Sequence, residues 1–206
     1  MPDTIYIVDD DFGVRDSLKA LLESADYEVR AFESAKLVLA DADLAGAGCL
    51  IADIRMPDMD GLTLQEELVR MRAGVPVIIV TGHGDVPLAV RAMKAGAVDF
   101  VEKPFDEEIL LGSVKRALAL SNEVRDQTSL VRTAVGRVAS LTPREYEVLQ
   151  QLVVGHPNKI IAYELDISPR TVEIHRAHVM EKMQARSLSD LVRLGLAAGV
   201  SPPPAK

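Results

Sequence analysis

Apolar and polar positions follow one rhythm up to residue 121 and another from residue 141. In the first part short apolar runs recur: "TIYIV" (4–8), "YEVRAF" (27–32), "CLIADI" (49–54), "VPVIIV" (75–80) and "AVDFV" (97–101). Each has the length and branched content of a buried strand. Between them lie stretches of helical period, such as "VRDSLKALLESA", where Val14, Leu18, Leu21 and Leu22 share one face. Five such units predict an α/β doubly wound parallel sheet with helices on both faces. In such sheets the ligand site lies outside the carboxyl ends of the strands.

Residues 122–140, "NEVRDQTSLVRTAVGRVAS", are mixed and polar, and read as a linker that is partly helical and continuous with the helix before it. From 141 the strand pattern is gone. "LTPREYEVL" is a helix start: Thr142 as N-cap, Pro143 in the first helical position, Glu145 completing a capping box. Four short helices are predicted near 143–154, 158–165, 169–183 and 187–198. The tail "SPPPAK" has no partner in the pattern and is expected to be mobile. The expected division is therefore 1–121, a linker 122–140, and an all-α domain 141–206.

At 206 residues, 48% hydrophobic and 26% charged, the chain can bury a real core. No apolar run approaches the roughly 18 residues of a membrane span, and no basic region precedes the first apolar stretch, so neither a span nor a signal peptide is expected. A cytoplasmic protein with no membrane partner fits. The single cysteine, Cys49, sits in an apolar run and reads as a small core residue. The net charge of −8 hides an asymmetry: residues 1–121 carry −10, 122–140 carry +1 and 141–206 carry +1. Two domains with different partners would partition charge this way.

Four features cluster at predicted strand ends. The first run ends in Asp9-Asp10-Asp11 and the third in Asp53; Thr81 ends the fourth, and Lys103-Pro104 follows the fifth. Gathered carboxylates repel one another unless a cation intervenes. Oxygen ligands with no His or Cys beside them favour Mg²⁺, which keeps several waters and accepts a phosphate oxygen. With Lys103 as a second cation and Thr81 as a hydroxyl donor, the set suits transfer of a phosphoryl group to a carboxylate. An acidic triplet alone is most often a solvated loop; the combination is what carries meaning.

The segments "IVDDD", "LIADIRMPDMDG", "VIIVTGHGD" and "VDFVEKPF" resemble the receiver domain of bacterial two-component response regulators, a flavodoxin-like fold, over residues 3–121. That resemblance implies Asp53 as phosphoacceptor. It implies Mg²⁺ held by Asp9, Asp10, Asp53 and the Arg55 backbone carbonyl. Thr81 and Lys103 would contact the phosphoryl oxygens, Phe100 would be an aromatic switch, and the Lys103-Pro104 bond would be cis. It also implies a sensor histidine kinase as phosphodonor.

"NKIIAYELDISPRTVEIHRAHVMEKM" reads as helix, short turn, helix, with Ser168 as N-cap and Pro169 at the first position. Val172, Val179 and Met183 form an apolar seam. The other face presents Arg170, Thr171, Ile174, Ala177, His178 and Glu181. Ile174 either meets another helix or touches a thymine methyl in a major groove. His175 and His178 have no partner at metal-ligand spacing. Together with its flanks this segment resembles the LuxR/NarL-type helix-turn-helix over 141–199, a four-helix domain. That implies promoter DNA and RNA polymerase as partners, with base contacts at Glu173, Ile174 and Ala177. Lys159, Arg170, Arg176, Lys182 and Arg186 are candidate phosphate contacts.

A domain near +1 has little electrostatic reserve for DNA, so pairing two copies on adjacent half-sites is a sensible trigger. The stretch "DVPLAVRAMKAGAVDF" offers Val90 and Lys94, one turn apart, as a surface for a phosphorylation-driven homodimer. As a whole the chain resembles response regulators of the FixJ type, which implies a haem-based oxygen-sensing histidine kinase of the FixL type and low-oxygen and nitrogen-fixation promoters. A regulator answering a different kinase is the nearest alternative. A Mg²⁺-dependent phosphohydrolase is another, but it wants an acid two residues after the nucleophile, where Arg55 stands, and a substrate cap. A DNA-binding regulator indifferent to phosphorylation is a third, and the complete acidic set argues against it.

Overall fold

Parallel strands buried on both faces must be apolar throughout, and the five strands of this chain are built that way. A computed structural model describes residues 4–41, 43–82 and 86–202; residues 83–85 of the "TGHGD" segment and 203–206 of the tail lie outside the described residues. The strands are β1 (Thr4–Val8), β2 (Val29–Phe32), β3 (Ala47–Asp53), β4 (Val77–Thr81) and β5 (Asp99–Glu102). They form one parallel sheet in the order β2-β1-β3-β4-β5. Helices α1 (Phe12–Ser24), α2 (Ala35–Ala40), α3 (Gly61–Arg70), α4 (Val86–Lys94) and α5 (Glu107–Val138) connect or follow them.

Side chains alternate across the sheet with period two. Tyr6, Val8, Leu50, Ala52 and Ile79 face a core closed by Val38 of α2, Leu62, Leu64 and Leu68 of α3, and Ala92 of α4. Ile5, Ile7, Cys49, Ile51, Ile78 and Val80 face a second core, closed by Leu18 and Leu22 of α1 and by Leu110, Val114 and Ala117 of α5. Cys49 is fully buried there. The order reverses between β1 and β3, so the crevice at their carboxyl ends is the switch point of the sheet.

Three strands are shorter than their apolar runs, β4 starting at Val77 rather than at 75. β2 begins at Val29 rather than 27, because Asp26 takes a left-handed φ of 64° and the Tyr27 amide donates back to the Leu22 carbonyl. Those residues finish α1 instead of starting a strand. β5 spans Asp99–Glu102 rather than 97–101, after a turn at Gly96 with φ 92°.

The chain divides into two compact units, Met1–Val124 and Arg125–Lys206. The second is all helical: the end of α5, then α6 (Pro143–Val154), α7 (Asn158–Glu164), α8 (Pro169–Lys182) and α9 (Leu188–Ala197). Its core joins Val148, Leu149 and Leu152 of α6, Ile161 of α7, Val172 and Val179 of α8, Met183, and Leu191 and Leu194 of α9. Residues 122–138 are helical within α5, and Ala134 is fully buried in the core of the helical unit with Leu130 and Val138 packed against it. The capping box at Thr142 and Glu145 is formed, with Pro143 at the first position, and Gly155 ends α6 in the left-handed region. Among the described residues no helix is long and apolar enough to cross a membrane.

Candidate functional site

The register of the sheet sets Asp53 beside Val80 and Thr81 beside Glu102, with Val8 beside Ala52, so the four carboxyl strand ends line one edge. Asp9, Asp53 and Thr81 are all buried there, at 3%, 8% and 1% exposure, which makes their polar atoms answerable to each other rather than to water. Lys103 resolves the conflict. Its Nζ donates to Asp9 Oδ2 at 2.6 Å and to Asp53 Oδ1 at 2.8 Å. Burial works against the Lys103 charge, but the hydrogen bonds and charges of Asp53 and Asp9 outweigh it and raise its pKa above the ordinary lysine value. The ammonium is therefore a fixed positive charge between two carboxylates.

The backbone around this pair is shaped to hold it. The Lys103 amide donates to the Thr81 carbonyl, and the Lys103-Pro104 bond is cis. Asp53 Oδ2 accepts from the Arg55 amide at 2.6 Å, and Asp9 Oδ1 from the Asp11 amide at 2.9 Å. The Arg15 guanidinium donates to the Asp9 carbonyl at 2.7 Å. Each carboxylate thus has one oxygen tied to backbone and the other on Lys103.

The remaining acids differ in their roles. Asp11 is the N-cap of α1, accepting from the Gly13 and Val14 amides. Asp10 is exposed beside the pair. Among the described residues no three His, Cys, Asp or Glu side chains converge on a single point. The donor chemistry still fits Mg²⁺, which takes one or two carboxylates and keeps waters for the rest; the buried pair offers hard oxygens and Asp10 faces the solvent from which waters come. Phe100 is half-buried on β5, packed with Leu88 against the core that contains Ala92 and Ala97. Val90 and Lys94 are both exposed on α4, with Val86 and Met93 exposed beside them.

One feature of the site carries no signal in charge or periodicity. A Cβ on Gly61 would lie 2.2 Å from the Asp53 carbonyl oxygen, and the Gly61 amide donates to the Ile54 carbonyl. The start of α3, capped by Asp60 on the Thr63 amide, is pressed onto the backbone at the end of β3. The Gly ending "MPDMDG" is the sequence trace of that contact.

In the second unit, Ser168 caps α8 on the Thr171 amide and Pro169 occupies its first position. Val172, Val179 and Met183 are fully buried. Arg170, Glu173, Ile174, Ala177, His178 and Lys182 are exposed and Thr171 and Arg176 half-exposed. Lys159 and Arg186, off that helix, are exposed as well. The cations are not equivalent. Lys182 donates to Glu145 Oε2 at 2.6 Å and Arg176 to Asn158 at 3.4 Å, while the Arg186 amide is held by Asp190. His178 Nδ1 stands 3.7 Å from the other oxygen of Glu145. The Glu145 carboxyl is pulled down to about 2, first by the Lys182 hydrogen bond and then by the Thr142 amide. In the sequence pattern Glu145 is only a capping residue; its ion-pair partner Lys182 lies 37 residues away.

The family model for the response regulator receiver domain matches residues 5–115, and that of the luxR family of bacterial regulatory proteins matches 139–195. A receiver followed by such a domain is the layout of a two-component response regulator. The chain is 47% identical to the transcriptional regulatory protein FixJ of Bradyrhizobium diazoefficiens, covering 95% of this chain and 96% of that one. It is 48% identical to FixJ of Rhizobium meliloti, covering 97% and 98%. Among solved structures, the response regulator StyR matches with a TM-score of 0.82 at 43% identity, over 94% of this chain and 98% of that chain. Full-length FixJ from B. japonicum matches with a TM-score of 0.57 at 47% identity, over 96% and 97%. The chain belongs to the response regulators of the FixJ type, phosphorylation-dependent transcriptional regulators that take a signal from a histidine kinase and bind DNA.

Proposed function

We propose that Asp53 accepts a phosphoryl group from a sensor histidine kinase and that the resulting charge drives two receivers together, setting two copies of α8 on neighbouring DNA half-sites. The observation that carries this reading is Lys103 bridging Asp9 and Asp53 at the mouth of the switch-point crevice. In the transfer, the P–N bond of the donor phosphohistidine breaks as a bond forms between phosphorus and an Asp53 oxygen, and the electron pair leaves with the imidazole nitrogen. Lys103 offsets charge on the phosphoryl oxygens, and the Thr81 hydroxyl donates to one of them. Burial of Asp9, Asp53 and Thr81 excludes bulk water and strengthens these contacts. Asp9, Asp10, Asp53 and the Arg55 carbonyl are the groups that would hold Mg²⁺, which when bound neutralises the carboxylates and the incoming oxygens.

Movement of Thr81 toward the phosphoryl group frees space for Phe100, and the change reaches the exposed face of α4 at Val90 and Lys94. Base contact then falls to Glu173, Ile174 and Ala177. Lys159, Arg170, Arg176, Lys182 and Arg186 are the phosphate contacts, Thr171 and His178 belong to the same DNA-facing surface, and RNA polymerase is the further partner at the promoter. The likeness to FixJ supports a haem-based oxygen-sensing kinase, FixL, as donor and low-oxygen and nitrogen-fixation genes as targets, in the cytoplasm. Phosphotransfer profiling against the histidine kinases of the host tests the donor. Preferential transfer from an oxygen-sensing haem kinase is expected; preferential transfer from another kinase overturns that assignment and leaves the family intact.

A further inference from the structure

In the helical unit, the end of α8 is gripped by a residue of α5. The helix stops at Lys182, with Met183 as its C-cap. Gln184 then takes a left-handed φ of 49°, which turns the chain out of the helix. The last carbonyls of a helix have no partner within it and must find donors elsewhere. The amides of Gln184 and Ala185 serve the carbonyls of Glu181 and Met180. The Met183 carbonyl is served by a side chain 46 residues away: Arg137 Nη1 donates to it at 2.9 Å, and Arg137 Nη2 donates to Gln184 Oε1 at 2.7 Å.

Arg137 is placed to hold that end and not only to satisfy it. A guanidinium is a rigid planar fork, so two bonds from it fix an angle as well as a distance. Its own backbone is anchored: Ala134, one turn earlier, is fully buried in the core of the helical unit, and Val138 packs against that core. Its charge also meets the negative end of the α8 dipole. Lys182 ties the same end to α6 through Glu145 at 2.6 Å, and Ser168 caps the other end.

We propose that Arg137 is a positioning residue for sequence readout: by holding the Met183 carbonyl and Gln184 it sets the pitch of α8, so that Glu173, Ile174 and Ala177 meet base edges in register while Arg137 itself touches no DNA. The proposal rests on the reading of α8 as the base-contacting helix. Base readout needs its side chains held to within about 0.5 Å of the productive geometry. Attraction to the phosphate backbone carries no sequence information and tolerates a looser helix. Release of the clamp therefore costs discrimination between sequences before it costs binding as such.

The test uses the full chain with acetyl phosphate and Mg²⁺, and two duplexes. One carries a site that the parent chain selects from a random-sequence pool; the other has one base pair of that site changed. The ratio of the two affinities is measured at several salt concentrations, because a ratio does not depend on the fraction of active protein. The parent should prefer the selected site by about tenfold, and Arg137→Ala should bring this to about twofold with the salt slope unchanged. Arg137→Lys keeps a donor for the Met183 carbonyl but loses the fork, and should recover part of the preference. Gln184→Ala removes one of the two partners on an exposed residue, so it should fold and lose part of the preference even where Arg137→Ala does not fold. Three results would overturn the proposal. One is the parent's preference in all the folded variants. Another is a lowered Tm with the preference intact, which makes the contact structural only. The third is an equal loss on both duplexes with a salt slope smaller by about 0.9, which makes Arg137 a phosphate contact. A parent chain without preference would overturn the reading of α8 itself, and this proposal with it.

Discussion

Lys182 Nζ meets Glu145 Oε2 at 2.6 Å, tying the last turn of α8 to the first turn of α6. The carboxylate that caps α6 therefore also orients the helix proposed to read DNA, and it holds Thr142, Lys182 and, at longer range, His178. Replacing Glu145 with Gln keeps the shape and removes the charge. Lys182 is 37% exposed, so solvent screens the pair and the expected loss is about 1 kcal/mol.

The pH dependence of that loss has a definite sign. The Glu145 carboxyl is lowered from 4.5 to about 2 in the folded chain. A lowered acid contributes stability that is complete above the unfolded pKa and disappears as pH falls through the folded one. The difference in Tm between the parent chain and Glu145→Gln should be full at pH 7 and shrink between 4.5 and about 2. Thermal melts across that range check it; a gap that stays constant would mean that the ion pair is not its source.

Asp10 and Asp11 should separate cleanly. Asp11→Ala removes the cap of α1 and should cost about 1 kcal/mol while sparing phosphorylation. Asp10→Ala removes no bond that the fold needs, yet should slow phosphorylation by acetyl phosphate at least tenfold and raise the Mg²⁺ needed. Equal loss in both variants would contradict the proposed metal set.

Much of this was legible in the chain itself. Five apolar runs announced five strands, and Asp9, Asp53, Thr81 and Lys103 stood at their ends because parallel order brings those ends together. What the pattern could not show is pairing at a distance. Lys103 lies 50 residues from Asp53, and Lys182 lies 37 from Glu145. Periodicity records which face a residue takes, not which charge it meets across the core. Leu130, Ala134 and Val138 do recur at fours, but the polar residues between them masked a face that packs into the core of the helical unit. Gly61 left even less trace, since its role is to be absent beside a carbonyl.

Val90→Asp places a charge on the exposed face of α4. It should abolish phosphorylation-driven dimers and reduce cooperative binding to paired half-sites, with Asp53 still phosphorylated at the parent rate. Sedimentation with acetyl phosphate present measures the first. Undiminished dimers would move the contact to another surface.

On DNA, Arg170→Ala and Ile174→Ala should fail differently. Removing a phosphate contact weakens every sequence and lowers the salt slope by about 0.9 per site. Losing a methyl contact keeps the slope and relaxes preference at one base pair. Binding titrations at several salt concentrations on matched and altered operators distinguish them. A changed slope in Ile174→Ala would remove that residue from the base-contacting set.

Everything downstream depends on Asp53 taking the phosphoryl group. Its carboxylate is the nucleophile, and an amide in its place attacks poorly while Asp9 still anchors Lys103. Intact-mass measurement after incubation with acetyl phosphate and Mg²⁺ tests this most directly. One added phosphoryl is expected on the parent chain and none on Asp53→Asn, with both showing the same folded circular dichroism spectrum. Incorporation into Asp53→Asn at the parent level would contradict the assignment of Asp53.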